Sequence, residues 1–148
     1  MDNIILKKTS KIDDCKKLLQ NFSHCLNSLQ NKEAIDFFSK KFSKYANVVL
    51  AETIEKKSIG FIAYYANNLE TRIAFISMIA ILPEYRGRHI GQSLLDFCKK
   101  DVIAKAFSSI KLEVSKNNYI AQQFYRKNGF IPINELDMLT MEWRNNNA

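Results

Sequence analysis

The stretch at residues 81–100, ILPEYRGRHIGQSLLDFCKK, breaks an apolar run at a proline, sets two arginines around a glycine, and runs into an amphipathic helix. Proline cannot donate to a central ladder, so the long extended run that reaches Pro83 must end there. From Gly91 the period turns helical, with Leu94, Leu95, Cys98 and Val102 on one side. Gly87 and Gly91 permit a turn in which consecutive N–H groups converge. The first turn of the helix adds unsatisfied N–H groups and the positive end of its dipole. With Arg86 and Arg88 this makes a cradle for phosphate, and a plain surface turn carrying two arginines is its equal rival at this point.

On either side the chain reads as alternating elements. NIILKKT, from Asn3, is a short opening strand, and the spacing of Ile12, Cys15, Leu18, Leu19, Phe22 and Leu26 is helical, with Ser10 as its expected cap and Asp13 at the capping-box position. Ala34, Ile35, Phe37, Phe38 and Phe42 suggest a second helix. Three extended runs follow, NVVLAET, SIGFIAYYA and TRIAFISMIAIL, joined by the short polar turns IEKK and NNLE. The third is apolar on both faces and central. Beyond the helix of the opening stretch, SIKLEVS is a strand with Ile110, Leu112 and Val114 on one face. NNYIAQQFYRKNG is a helix capped by Asn117 or Asn118 and stopped at Asn128–Gly129. FIPI and DMLTMEW close the chain as two strands. The order β-α-α-β-β-β-α-β-α-β-β predicts one α/β domain over residues 1–148, a mixed sheet with helices on both faces and a frayed tail at about 144–148.

Composition narrows the class. Apolar residues are 47% and charged residues 25% of 148, which suits one globular domain with a real core. The start, MDNIILKKTS, carries Asp2 and too short an apolar run for a signal peptide, and no stretch approaches the roughly 18 residues of a membrane span. A cytoplasmic protein is expected. Cys15, Cys25 and Cys98 are odd in number and far apart, and His24 and His89 are the only histidines, so neither a disulfide framework nor a metal site is expected. The net charge of +7 comes as scattered pairs such as Lys7–Lys8, Lys16–Lys17, Lys40–Lys41 and Lys99–Lys100. With no run of five or six like charges, it points away from nucleic acid and toward a solvated surface.

IAILPEYRGRHIGQSLL, residues 79–95, resembles the acyl-CoA-binding motif of the GCN5-related N-acetyltransferases, the GNAT superfamily. That pattern is Arg/Gln-x-x-Gly-x-Gly/Ala after a strand ending in V-x-P-x-Y. Arg86 fills its first position and Gly91 its last, while His89 stands in place of the middle glycine. A side chain at a left-handed position costs about 1 kcal/mol. LEVSKNNYIAQQFYRKNGF, residues 112–130, resembles the family's second block, LxV…N…A…FYxkxGF, and the element order is the family's over essentially the whole chain.

The resemblance implies a sheet of about seven strands, mostly antiparallel, with about four helices, and acetyl-CoA as co-substrate without a metal. The pantetheine arm would pair with the main chain near Ile79, Ala80 and Ile81, and the pyrophosphate would sit on amides from Gly87, Arg88, His89, Ile90, Gly91 and Gln92, aided by Arg86. Tyr125 matches the position that often protonates the departing thiolate. Glu113 matches a base in some members, and as a carboxylate on a sheet face expected to be covered it needs a reason. Asn118 matches an asparagine that contacts the CoA arm, or simply caps its helix. The connection INELD is short for a peptide slot, which favours a small-molecule amine over a protein N-terminus or lysine. Glu33, Asp36, Tyr64, Tyr65 and Tyr119 are candidates for the acceptor pocket. A CoA-binding regulatory protein without catalysis is the remaining alternative, and a homodimer is left open.

Overall fold

A computed structural model describes residues 3–146. The elements are β1 (Ile5–Thr9), α1 (Ile12–Phe22), α2 (Lys32–Tyr45), β2 (Asn47–Glu52), β3 (Ser58–Tyr65), β4 (Ile73–Ile81), α3 (Ile90–Ala104), β5 (Ser109–Val114), α4 (Tyr119–Lys127), β6 (Ile131–Glu135) and β7 (Leu139–Arg144). The strands form one seven-stranded sheet in the order β1-β2-β3-β4-β5-β7-β6. Only β4 and β5 run parallel, because α3 carries the chain back across the sheet between them.

Each face of the sheet buries its own core. On one, Leu94, Leu95, Cys98 and Val102 of α3 and Tyr125 of α4 pack against Ile62, Tyr64, Ile110, Leu112 and Met141. On the other, Cys15, Leu18, Leu19 and Phe22 of α1 and Phe42 of α2 pack against Val48, Leu50, Phe61 and Ala63, with Phe22 and Phe61 edge to face at 5.1 Å. Each large side chain so buried stabilises the fold by roughly 1.5–3 kcal/mol. Gly60 matters by its size: a Cβ there would lie 2.7 Å from Ile81 and 3.4 Å from Ile90, so its bare backbone lets the end of β4 and the start of α3 close on β3.

The sequence places most elements, and three details differ. α1 starts at Ile12 with Lys11 in the cap position and no side-chain cap. Ser10 lies one residue too early, and its carbonyl accepts from the Ser43 hydroxyl at 2.6 Å. In α2, by contrast, the Asn31 side chain accepts from the Ala34 N–H at 2.8 Å. At the far end Arg144 belongs to β7, and the Asn145 N–H donates to the Ser108 carbonyl at 2.8 Å. The expected fraying is therefore not seen at Arg144 or Asn145, and residues 147–148 lie outside the described residues. Cys15 and Cys98 are buried thiols, while Cys25 is half-buried on a short turn after α1; all three are free.

The third difference is a bulge in β4. Ala74 and Ile76 pack into the core under α3, whereas Met78 and Ala80 pack under α1 and α2. In an unbroken strand these alternate residues would share a face. Ala63 pairs with Met78 but Tyr64 with Ile76, so Ser77 is an extra residue that moves the rest of the strand to the opposite phase. The β4–β5 ladder ends at the same place, its last pair being Ile76 and Leu112. Past it β5 stays with β7 while β4 stays with β3, and the two strands part.

Candidate active site

The edge of β4 beyond the split carries main-chain groups of defined direction. The Leu82 N–H donates to the Ile59 carbonyl at 2.9 Å, so Leu82 faces β3. Alternation turns Ala80 toward β3 as well, and directs the N–H and C=O of Ile79 and Ile81 to the edge that β5 has left. Of the three residues expected to offer main chain here, Ile79 and Ile81 do so and Ala80 does not. The Ile81 carbonyl is already engaged, accepting from Arg86 Nε at 3.1 Å.

The loop after β4 brings the motif residues to this edge. Pro83 opens a short turn closed by the Arg86 N–H on the Pro83 carbonyl at 3.3 Å. Gly87 has φ +79°, with nothing within 4 Å of where a Cβ would stand. His89 follows at φ +63° as the cap of α3, a left-handed conformation that costs a non-glycine residue roughly 1–2 kcal/mol. The first helical bond runs from the Ser93 N–H to the His89 carbonyl at 3.1 Å, so the N–H groups of Ile90, Gly91 and Gln92 precede the helix's own acceptors. Gly91 does not make the turn expected of it, because it is already helical. A Cβ there would meet Phe124 at an ordinary 3.6 Å, and Gly87 and His89 do the turning. The Gln92 side chain donates to Asn128 Oδ1 at 2.6 Å, tying α3 to the end of α4 and leaving its main chain for a ligand. Arg88 lies over the ring of Tyr85 at 5.1 Å, and Lys57 approaches the same ring at 5.5 Å.

Across the split stand β5 and α4. Asn118 caps α4, its Oδ1 accepting from the Ala121 N–H at 3.1 Å. Tyr125 is buried between Phe124 and Phe130, with ring centroids at 5.4 and 5.6 Å. Burial pushes its hydroxyl far above the ordinary phenol range, so it holds its proton. Glu113 is the first β5 residue past the ladder and pairs with Thr140 of β7. The cover expected over it is absent: Glu113 is exposed, because α1 and α2 do not extend over this half of the sheet.

The acceptor candidates scatter. Tyr64 faces the α3 core and donates to Asp101, and Tyr119 is exposed at the start of α4. Glu33 is exposed on α2, and Asp36 is paired with Lys16 at 3.3 Å. Tyr65 packs toward α2 at the bulge. Ser77 itself escapes sequence reasoning, although it is the one polar residue inside the run IAFISMIAI and that was its signal. Among the described residues no three His, Cys, Asp or Glu side chains gather as metal ligands, and no helix is long and apolar enough to cross a membrane.

Residues 13–130 match the family model described as the acetyltransferase (GNAT) family. The chain belongs to that family. It is 28% identical over 109 residues to a streptothricin acetyltransferase of Escherichia coli, a match covering 74% of this chain and 61% of that one, so it spans under two thirds of that relative's length. Among solved structures, an acetyltransferase from Streptococcus agalactiae superposes with TM-score 0.82 at 19% identity over 98% of this chain and 100% of that one. The PaiA N-acetyltransferase of Thermoplasma acidophilum, solved with coenzyme A, gives 0.72 at 20% identity over 97% and 99%. These likenesses confirm the GNAT fold of a single α/β domain.

Proposed function

We propose that this GNAT protein moves an acetyl group from acetyl-CoA to a primary amine of a small molecule, both substrates meeting where β4 and β5 part. The observation that carries this is the coincidence of the split with the motif loop: the edge-facing main chain of Ile79 and the N–H of Ile81 lead toward the amides of Gly87 to Gln92. The residues fit the donor. Amide-edge groups suit the amides of a pantetheine arm, and the α3 N-terminus with Arg86 and Arg88 suits a pyrophosphate. His89, in the left-handed region a glycine would fill, keeps the loop's path despite its side chain.

The amine attacks the thioester carbonyl; the C–N bond forms and the C–S bond breaks. Glu113, exposed at the mouth, takes the proton the amine sheds, directly or through water. Main-chain N–H groups at Ile79 and Ile81 polarise the carbonyl oxygen. Tyr125 gives its proton to the leaving sulfur, and exchange of one proton through solvent from Glu113 back to Tyr125 resets both. An amine on a small molecule is supported by the name of the relative from Escherichia coli and by the short connection from β6 to β7, residues 136–138.

Calorimetric titration with acetyl-CoA, followed by assay of CoA release with a panel of amines, tests this. Micromolar binding and amine-dependent release are the expected results; binding without release to any amine would favour a regulatory CoA-binding protein.

A further inference from the structure

Tyr65 is the described residue whose buried side-chain polar atom lacks any hydrogen-bond partner. Its ring is well held, packed on Phe42 with centroids 6.2 Å apart and under Lys41 Nζ at 5.2 Å. Phenylalanine would fill that space without stranding a hydroxyl, and a buried unpaired hydroxyl costs stability, so its presence calls for a reason. Burial raises the hydroxyl's pKa, and the Ser77 hydroxyl stands near enough to oppose part of the rise without pairing with it. Ser77 is the bulged residue, the first of β4 past its ladder with β5. Glu113 is the first of β5 past the same ladder. Tyr65, opposite Phe75, and Glu113, in line with Lys111 opposite Phe75, alternate onto the same face of the sheet, the one bearing α1 and α2.

We propose that the Tyr65 hydroxyl, with Ser77 beside it, holds the acceptor's amine at the point where β4 leaves β5, across the mouth from Glu113. This rests on the acetyl-transfer reading above. The protonated hydroxyl accepts one amine N–H and orients the nitrogen's lone pair toward the thioester, while the carboxylate of Glu113 accepts the proton released. Tyr65 thereby contributes to binding and orientation of the acceptor, and the donor binds independently of it.

Tyr65→Phe tests the assignment, with spermidine, L-lysine and streptothricin each offered as acceptor and CoA release followed. The variant should raise KM for whichever amine is consumed by about tenfold and leave KM for acetyl-CoA unchanged. Its thermal midpoint should stay level or rise, because the stranded hydroxyl is gone. Ser77→Ala should raise the amine KM by about threefold. A Tyr65→Phe enzyme with wild-type amine KM overturns the assignment. A crystal of the wild-type protein soaked with n-butylamine decides it without turnover: the amine nitrogen should lie within hydrogen-bond reach of Tyr65 Oη, and an unpaired hydroxyl there overturns it. Failure of the acetyl-transfer reading looks different, as wild-type protein that binds no acetyl-CoA in calorimetry.

Discussion

Arg86 donates through Nε to the carbonyl of Ile81 at 3.1 Å, closing the last main-chain acceptor on the open edge of β4. The fork-shaped guanidinium has further N–H groups that this bond does not use, so one side chain can brace the strand end and still face a phosphate. Arg86→Ala should weaken acetyl-CoA binding by about tenfold in calorimetry, and Arg86→Lys should not restore it, since an ammonium cannot serve both partners in that geometry. Wild-type affinity in Arg86→Ala would remove Arg86 from the donor site.

His89 sits at φ +63° with no side-chain cap bond to offset the strain. His89→Gly should therefore stabilise the fold by about 1 kcal/mol in denaturant unfolding, whereas His89→Ala, with its Cβ retained, should not. Acetyl-CoA affinity should hold or improve in the glycine variant, because the loop already follows the path a glycine would take. A loss of affinity instead would mean that the imidazole itself contacts the donor.

How far the sequence reached depends on what each residue signals. Pro83 ends β4 and Asn118 caps α4 for local reasons, and local reasons are written in neighbouring residues. The bulge at Ser77 was hard to read because β4 is apolar on both faces, so a change of phase leaves no mark in the hydrophobic pattern beyond the one serine. The cover expected over Glu113 fails for a related reason. Alternation gives the face of a strand, but whether helices reach over that part of the sheet is decided by tertiary packing. Arg86 was rightly placed in the loop, yet its bond back to Ile81 depends on how the turn after Pro83 folds.

In the proposed reaction Tyr125 and Glu113 divide the proton work, and single variants separate the two parts. Tyr125→Phe keeps the aromatic packing on Phe124 and Phe130 and should lower kcat by about 100-fold with acetyl-CoA affinity unchanged. Glu113→Gln should likewise lower kcat without altering donor binding or the thermal midpoint, since the exposed carboxylate supports no packing. Stopped-flow acetyl transfer beside calorimetry separates the two effects. A Tyr125→Phe enzyme at wild-type kcat would show that the thiolate leaves without this acid.

At the end of α3 away from the loop, a polar cluster pins the helix to the sheet and gives stability a defined pH dependence. The Tyr64 hydroxyl donates to Asp101 Oδ2 at 2.5 Å and Lys105 Nζ donates to the same oxygen at 2.9 Å, with Lys8 Nζ 3.6 Å from Oδ1. Burial alone would raise the Asp101 carboxyl; the bonds from Tyr64 and Lys105 and the nearby ammonium charges outweigh it and hold the group below the usual carboxylate range. Its contribution is thus fully present above the unfolded value of about 3.9 and is lost as pH falls through the lower folded value. Tyr64 has the opposite sign: burial, then its bond to Asp101, pushes the hydroxyl far up, so its contribution is complete below about pH 10 and is lost as pH rises beyond. Tyr64→Phe should cost about 1–3 kcal/mol at pH 7, because it strands a carboxylate oxygen of Asp101. In urea unfolding at pH 3, 7 and 10.5 the gap between wild type and variant should be widest at pH 7 and narrow at both ends, and a gap independent of pH would show that the cluster does not hold the charged Asp101 and protonated Tyr64 assigned to it.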